Sequence, residues 1–521
     1  MKSTLLKSTG VVALSTFASR IMGFIRDMII ANYFGASGKL DGFWIAFRIP
    51  NLLRRLVAEG ALTISFIPVY TDYLVNKGRH EALELAQKTF SFLILILLIF
   101  TLLGVIFSPQ IVELFAYGFT DAEIIDLTTS LNRMLFPYLF LIGIVAFAMG
   151  ILNSHRIFFP SSFSPVLLNV GFITGAVILT KFFKEPLFGL ALGVIVGGIL
   201  QVLLQIPYLI KIRFKIKFKI DINDPGIQKI FRMIVPALWG IGIYQVNILM
   251  STMLASMLPE GSISYLYYSD RLTELVLGVF IISIGNVILP EMSKFSANND
   301  FHKLGELYSS SIRISLFIAI PATIAIMTVG TPIISTLFMR GKLTSYHVEM
   351  IYRALLFASP GIISLAILRI TTPAFYSLKD TKTPVLSSAI SFILNIVLGY
   401  ILMQTWMKHA GLSLANSISA TAQTLFLIIC FQRKIGRVEI LSLVVPVIKY
   451  TISGAVMALV IWSLSGYIDW VYDPYINRLG FLIIIIISGG LTYCLICYIL
   501  KVGEIRFLVN LIYKKNGGDS A

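Results

Sequence analysis

SRIMGFIRDMI, Ser19 to Ile29, lies inside an apolar run long enough to cross a bilayer, yet it carries Arg20, Arg26 and Asp27. Charge at the centre of a membrane helix costs about 2.5–3.5 kcal/mol per residue on insertion scales. A helix that keeps two arginines about two turns apart must turn them toward a water-filled cavity or toward other charges. The stretch therefore predicts a helical membrane protein with a polar interior.

The rest of the chain agrees with that class. Of its 521 residues 57% are hydrophobic and only 13% charged, and the mean hydropathy is +0.86. A soluble chain of this length needs far more polar surface to cover its core. Apolar runs of about 20 residues, enough to span hydrocarbon at 1.5 Å per residue, recur along the whole length. They predict an all-α polytopic membrane protein with 14 spans, at 8–34, 40–73, 89–116, 126–152, 162–181, 187–210, 228–257, 262–293, 309–338, 347–375, 382–405, 410–431, 442–465 and 479–500. The loops between them are short, which leaves no sizeable soluble domain. MKSTLLKSTG at the start lacks a small-residue cleavage site, so the first span reads as a retained helix and not as a signal peptide.

Lys and Arg crowd alternate loops, among them Lys77 and Arg79, Lys211 to Arg232, Arg433 to Arg437 and Lys501 to Lys515. The positive-inside rule then places both termini in the cytoplasm. The net charge of +16 is a topology signal and not a nucleic-acid surface. KIRFKIKFKID, Lys211 to Asp221, alternates basic and apolar residues. Such a segment either lies on an anionic membrane surface or simply links spans six and seven; the linker is the plainer reading.

A weak repeat recurs at an offset of about 220 residues. TISFIPVYTDY (63–73) parallels GNVILPEMSKF (285–295), setting Pro68 against Pro290, and SPVLLN (164–169) resembles TPVLSS (383–388). It predicts a six-helix lobe over 1–220, a second over 221–440, and two further helices with a tail over 441–521. Paired structural repeats are the usual build of a transporter with its site at their interface.

The charges within spans sort by spacing. Asp41, Arg48 and Arg55 are seven apart and share a face of span two, as Ser19 and Arg26 do in span one. Arg55 with Glu59, and Arg271 with Glu274, have the spacing of ion pairs along one helix. Asp27 either pairs with Arg26 or marks the outer end of its helix. Arg20, Arg26 and Arg54 have no acidic residue three or four positions away, so their partners are a substrate or residues of other helices such as Asp41 or Glu274. Arginine stays charged, and its planar fork grips phosphate oxygens in pairs. A cluster of arginines thus suits an anionic substrate, a phosphate or diphosphate, better than a cationic one.

No phosphate-binding loop of the form GxxxxGK[ST] is present, and HEALE (80–84) lacks the second histidine of a zinc-protease motif. Cys430, Cys494 and Cys497 all lie in apolar segments, and the CxxC of the last two has no second pair or nearby histidine; they read as buried, inert thiols. No cofactor and no metal is expected.

SRIMGFIRD with DGFWIAFRIPNLLRRLVAEGALTISFIPVY (41–70), YYSDRLTEL (267–275), GILNSHRIFFPSSFSPVLLN (150–169) and FYSLKDTKTPV (375–385) together resemble the MurJ (MviN) lipid II flippases of bacteria, over the whole chain. The resemblance implies two six-helix lobes around a central cationic cavity. It also implies alternating-access transfer of lipid II, the undecaprenyl-diphosphate-linked disaccharide-pentapeptide, to the outer face of the cytoplasmic membrane for peptidoglycan synthesis. The family's cavity arginines fall on Arg20, Arg26, Arg54 and Arg271, and neighbouring cavity residues on Ser19, Asp41 and Glu274. The last two helices would border a groove for the polyprenyl tail, which the apolar LGFLIIIIISGGL (479–491) permits. Some relatives hold sodium with carboxylates and amides on spans 7, 11 and 12; here those spans offer Gln245, Asn247 and Asn395 but no acidic residue. The expected partners are lipid II and membrane lipids, with the protein a monomer. The competing readings are a flippase for another polyprenyl-diphosphate oligosaccharide, a MATE-type drug antiporter, and a membrane-embedded enzyme acting on polyprenyl phosphates. The arginine excess speaks against the antiporter, and the lack of an aspartate-rich magnesium motif against the enzyme.

Overall fold

The structure, a computed structural model, describes residues 2–56, 62–278, 282–436 and 441–505. Among them are seventeen α-helices and no strand: α1 (Lys2–Phe34), α2 (Gly38–Arg54), α3 (Leu62–Asn76), α4 (Arg79–Ile106), α5 (Ser108–Phe115), α6 (Ala122–Ser154), α7 (Phe159–Val177), α8 (Pro186–Lys211), α9 (Pro225–Ser256), α10 (Ser262–Val276), α11 (Ile282–Ala297), α12 (Phe301–Phe338), α13 (Ser345–Ser377), α14 (Lys382–Met403), α15 (His409–Ile435), α16 (Leu441–Ser465) and α17 (Tyr475–Ile499).

These helices fall into the 14 expected spans, three of which hold two described helices each. Span two holds α2 and α3, and α2 runs into a π-helical turn at Arg55–Leu56. Pro50 lies within α2 and Pro68 within α3, and each lacks the N–H that would complete the helical ladder. The eighth span holds α10 and α11, and α10 runs into a π-helical turn at Leu277–Gly278. The third is α4 and α5, divided at Phe107 because Pro109 follows in the first turn of α5. The expected Arg55–Glu59 pair lies outside the described residues. Among the described residues nine helices are long and apolar enough to cross a membrane, namely α4, α6, α8 and α12 to α17. The other five spans are α1, α2 with α3, α7, α9, and α10 with α11.

The internal repeat is legible in these irregularities. The π-helical turns begin at 55 and 277, the prolines sit at 68 and 290, and the interruptions fall at Phe107 and at Val329, where α12 leaves helical φ/ψ; each pair is 222 residues apart. Helix starts follow this shift to within one residue, 122 to 345 for α6 and α13 and 186 to 409 for α8 and α15. The second sequence match is displaced from this register by about a turn. Pro165 lies well inside α7, whereas Pro384 lies in the first turn of α14.

Packing groups Met1–Ser264 with Arg340–Lys342 as one unit, and Tyr265–Met339 with Leu343–Ala521 as another. The first boundary differs from the expected one at 220. In the repeat α9 corresponds to α1, but α1 packs on α7 whereas α9 packs on α3, α4 and α5. The core of the first unit gathers Phe66, Tyr70, Phe90, Phe147 and Phe214. Its α7 and α8 approach closely enough that a Cβ on Gly171 would stand 2.4 Å from the Gly193 carbonyl oxygen, the small-residue packing that membrane helices use where hydrophobicity drives nothing together. The core of the second unit centres on Tyr308, Phe317, Phe375 and Phe431. There α16 and α17 pack on α12, and the buried Tyr493 hydroxyl donates to the Phe317 carbonyl at 2.9 Å.

Candidate functional site

In the first unit the candidate residues lie on α1 and α2. Arg26 directs its Nε and Nη2 to one oxygen of Asp27, at 2.9 and 2.7 Å. The arginine side chain is 11% exposed and the aspartate 2%, so this is a buried pair. Its Nη1 donates to Asn169 Oδ1 on α7 at 3.0 Å, and the guanidinium lies 5.0 Å from the centre of the Phe172 ring. Phe172 in turn meets Phe47 edge-on at 5.2 Å. The same Asn169 donates through Nδ2 to the Ser19 carbonyl at 3.1 Å. Ser19 and Arg26 thus share a face, as their seven-residue spacing predicts, and Asn169 ties both to α7. A guanidinium anchored on three sides has lost much of its rotamer freedom before any ligand arrives.

Arg20 is half-buried and makes no hydrogen bond or ion pair among the described residues. It is turned about 120° around α1 from Arg26, so the two occupy different faces. Arg54 closes the last turn of α2 with its Nε donating to Asn51 Oδ1 at 2.7 Å. Arg48 donates to Thr252 Oγ1 on α9.

Asp41 is 2% exposed and spends both oxygens inside the protein. One accepts the Gly261 N–H at 2.7 Å, and the other accepts the Ser264 N–H at 2.8 Å and its hydroxyl at 2.6 Å. It therefore acts as an acceptor for the turn that opens α10, where peptide N–H groups have no helical partners. The structure does not bring it to Arg20, Arg26 or Arg54 through any described contact.

In the second unit Arg271 pairs with Glu274 at 2.8 Å, three residues on as the spacing predicts, and its guanidinium lies 4.7 Å from the Tyr267 ring centre. Both partners keep exposed surface, 36% and 63%. On the start of α4, His80, Glu81 and Glu84 bring ligand atoms within 4.8 Å of one another. His80 and Glu81 are exposed and Glu84 half-exposed, on a surface remote in sequence from the arginines.

Asn169, Phe172, Asn51 and Thr252 complete these side-chain settings and were not read as site residues from sequence. Asn169 had a signal, a lone amide in the apolar run SPVLLN; its partner is 143 residues away. The candidate side chains all fall on α1, α2 and α10. Charge carried inside a membrane span marks where polar groups face something other than lipid.

A repeated bundle of membrane helices, with arginines carried inside several of its spans, has the build of a polytopic membrane transporter. Its fold is shared with an inward-facing multidrug resistance MATE family transporter of the MOP superfamily, at a TM-score of 0.69 and 14% identity over 80% of this chain and 94% of that one. The sequence pattern of the family described as Lipid II flippase MurJ matches residues 30–480, and the chain belongs to that family. It is 37% identical over 425 residues to a probable lipid II flippase MurJ of Vibrio cholerae, 80% of this chain and 81% of the relative. It is 32% identical over 424 residues to the lipid II flippase MurJ of Burkholderia cenocepacia, 80% and 82% of the two chains. A solved lipid II flippase MurJ in an inward closed conformation superposes with a TM-score of 0.80 at 27% identity, covering 96% of this chain and 99% of the other.

Proposed function

We propose that this chain carries lipid II from the cytoplasmic to the outer leaflet of the bacterial cytoplasmic membrane by alternating access, as a monomer and without bond-making chemistry of its own. Arg20, Arg26, Arg54 and Arg271 bind the diphosphate, with Ser19, Asp41 and Glu274 around it, and the two halves of the repeat, residues 1–220 and 221–440, are the lobes that alternate, α9 moving with the first half on which it packs. The observation that carries the reading is Arg26, a guanidinium retained in a membrane helix and oriented by Asp27, Asn169 and Phe172. A fork fixed in this way suits the paired oxygens of a diphosphate. Arg20 brings a second cation on another face of the same helix. Asp41 acts through the start of α10, holding the backbone near the site and leaving the anion to the arginines. Both termini lie in the cytoplasm.

Purified protein reconstituted into liposomes tests this. Fluorescent lipid II should cross several-fold faster than in empty liposomes, and free undecaprenyl monophosphate should not compete. Equal transfer of a polyprenyl diphosphate bearing an unrelated glycan would reduce the reading to a general diphosphate-lipid flippase.

A further inference from the structure

Between α8 and α9 the chain runs without helix from Ile212 through IRFKIKFKID and on to Asp224. Its first apolar residues, Ile212 and Phe214, are buried in the core of the first unit. The next four are not: Ile216, Phe218, Ile220 and Ile222 are 62–72% exposed. They alternate with Lys215, Lys217 and Lys219. The segment is fastened edge-on to α4, where the Ser91 hydroxyl meets the Lys217 carbonyl at 3.4 Å and accepts the Lys219 N–H at 2.9 Å. An extended chain presents groups two residues apart on one edge in this way, and it sends alternate side chains to opposite faces. Lys219 is spent on Glu84, and the aspartates at the far end of the segment are spent on Lys88. Lys211, Arg213, Lys215 and Lys217 are exposed and make no ion pair among the described residues.

A second feature adjoins this segment. Between α4 and α9 lies a shallow apolar groove, lined by Phe92, Leu93, Ile96, Ile230, Phe231 and Ile234. Its α4 wall flanks Ser91, the residue on which the lysine segment is fastened. Lys217, whose carbonyl meets Ser91, therefore lies beside this apolar groove, and Lys215, Arg213 and Lys211 precede it along the segment. Neither the arginines of α1 and α2 nor Arg271 takes part.

We propose that this segment and groove form a binding site for an anionic phospholipid of the leaflet on that side of the membrane. The headgroup phosphate lies on Lys211, Arg213, Lys215 and Lys217, one acyl chain lies in the α4–α9 groove, and the exposed isoleucines and Phe218 enter the interface beside it. Charge complementarity selects the occupant. A neutral lipid leaves four cations unanswered, whereas a soluble anion leaves the groove and four large apolar side chains in water. The site also holds the connection between the two halves of the repeat against the membrane.

Native mass spectrometry of the delipidated full-length protein tests the site, with phosphatidylglycerol, phosphatidylcholine and soluble glycerol phosphate titrated separately. Phosphatidylglycerol should bind at least about fivefold tighter than phosphatidylcholine, and glycerol phosphate should not compete. The triple variant Lys211→Gln/Lys215→Gln/Lys217→Gln should lose at least about tenfold in phosphatidylglycerol affinity and keep its phosphatidylcholine binding. The matching triple arginine variant should bind as the parent does. Phe231→Ser, in the groove, should weaken both lipids. Equal affinity for the two lipids, competition by glycerol phosphate, or an unchanged triple glutamine variant would overturn the proposal. If the glutamine variant does not fold, the arginine and serine variants decide: a lipid preference that neither responds to the serine change nor survives the arginine change also refutes it.

Discussion

Replacing Arg26 separates binding from support, provided that Asp27 is changed with it. Arg26→Ala removes two N–H contacts to Asp27, one to Asn169 and the stacking on Phe172. It also leaves a carboxylate that is 2% exposed without its cation. Removing one partner of a buried pair costs about 3–5 kcal/mol, most of it the uncompensated charge left behind. The single alanine variant should therefore both melt earlier and fail to transport, and its failure alone says little. In Arg26→Gln/Asp27→Asn the charge is removed from both sides, and the amides can still bond to each other and to Asn169. Stability should return to within about 1 kcal/mol of the parent. Transport should stay lost: two charge-assisted hydrogen bonds to a diphosphate are worth at least about 3 kcal/mol, roughly a hundredfold in rate. Arg26→Lys keeps the cation but not the fork, so it should give partial transport at best. The assays are thermal unfolding in detergent and lipid II transfer in liposomes, with membrane levels checked in a complementation strain. A double neutral variant that transports within about threefold of the parent would make Arg26 a structural partner of Asp27 and remove it from the site.

Asp41→Ala should lower stability by about 3 kcal/mol, because three donors lose a buried carboxylate, while Asp41→Asn should cost less; unchanged melting of the alanine variant would return Asp41 to the substrate. In the loop between α13 and α14, burial pushes the Asp380 carboxyl up, but hydrogen bonds from Lys434 and from the Thr383 hydroxyl and N–H outweigh it and hold the group well below the usual carboxylate range. A pKa depressed by folding adds stability that is complete above the ordinary carboxylate value and is lost as pH falls toward the folded one. Melting should therefore drop below about pH 4, and Asp380→Asn should flatten that drop, a difference read by melting curves of the two proteins from pH 7 to pH 3. Cysteines placed at Lys217 and Asp473 should label from opposite sides of the membrane, and labelling from one side would contradict the topology. Transport should persist when sodium is replaced by potassium at fixed membrane potential, since spans 7, 11 and 12 supply amides and no carboxylate.

The parts of this architecture legible in sequence are those written locally. Hydropathy runs give the spans, and the Pro68–Pro290 match gives an offset close to the one that the helix irregularities follow. The three-residue spacing of Arg271 and Glu274 gives their pair. The Arg26–Asp27 contact is harder, because adjacent residues do not face each other on a helix; the long arginine side chain folds back to reach its neighbour. The remaining links are tertiary. Asn169 meets Arg26 across 143 residues, and Asp41 meets Gly261 across 220. No spacing rule connects such positions, although a buried amide or carboxylate in an apolar span announces that it needs a partner. The grouping of α9 with α2 to α5 is likewise invisible in the repeat, which relates α9 to α1 by sequence and says nothing of what it packs on.

The central claim, that the cargo is lipid II, is tested most directly by depleting the protein in its own cells and measuring which lipid-linked precursor builds up in the cytoplasmic leaflet. Lipid II should accumulate there, inaccessible to probes added outside, with other polyprenyl-diphosphate intermediates near their usual levels. Accumulation of a different diphosphate-linked oligosaccharide, with lipid II still reaching the outer face, would contradict it.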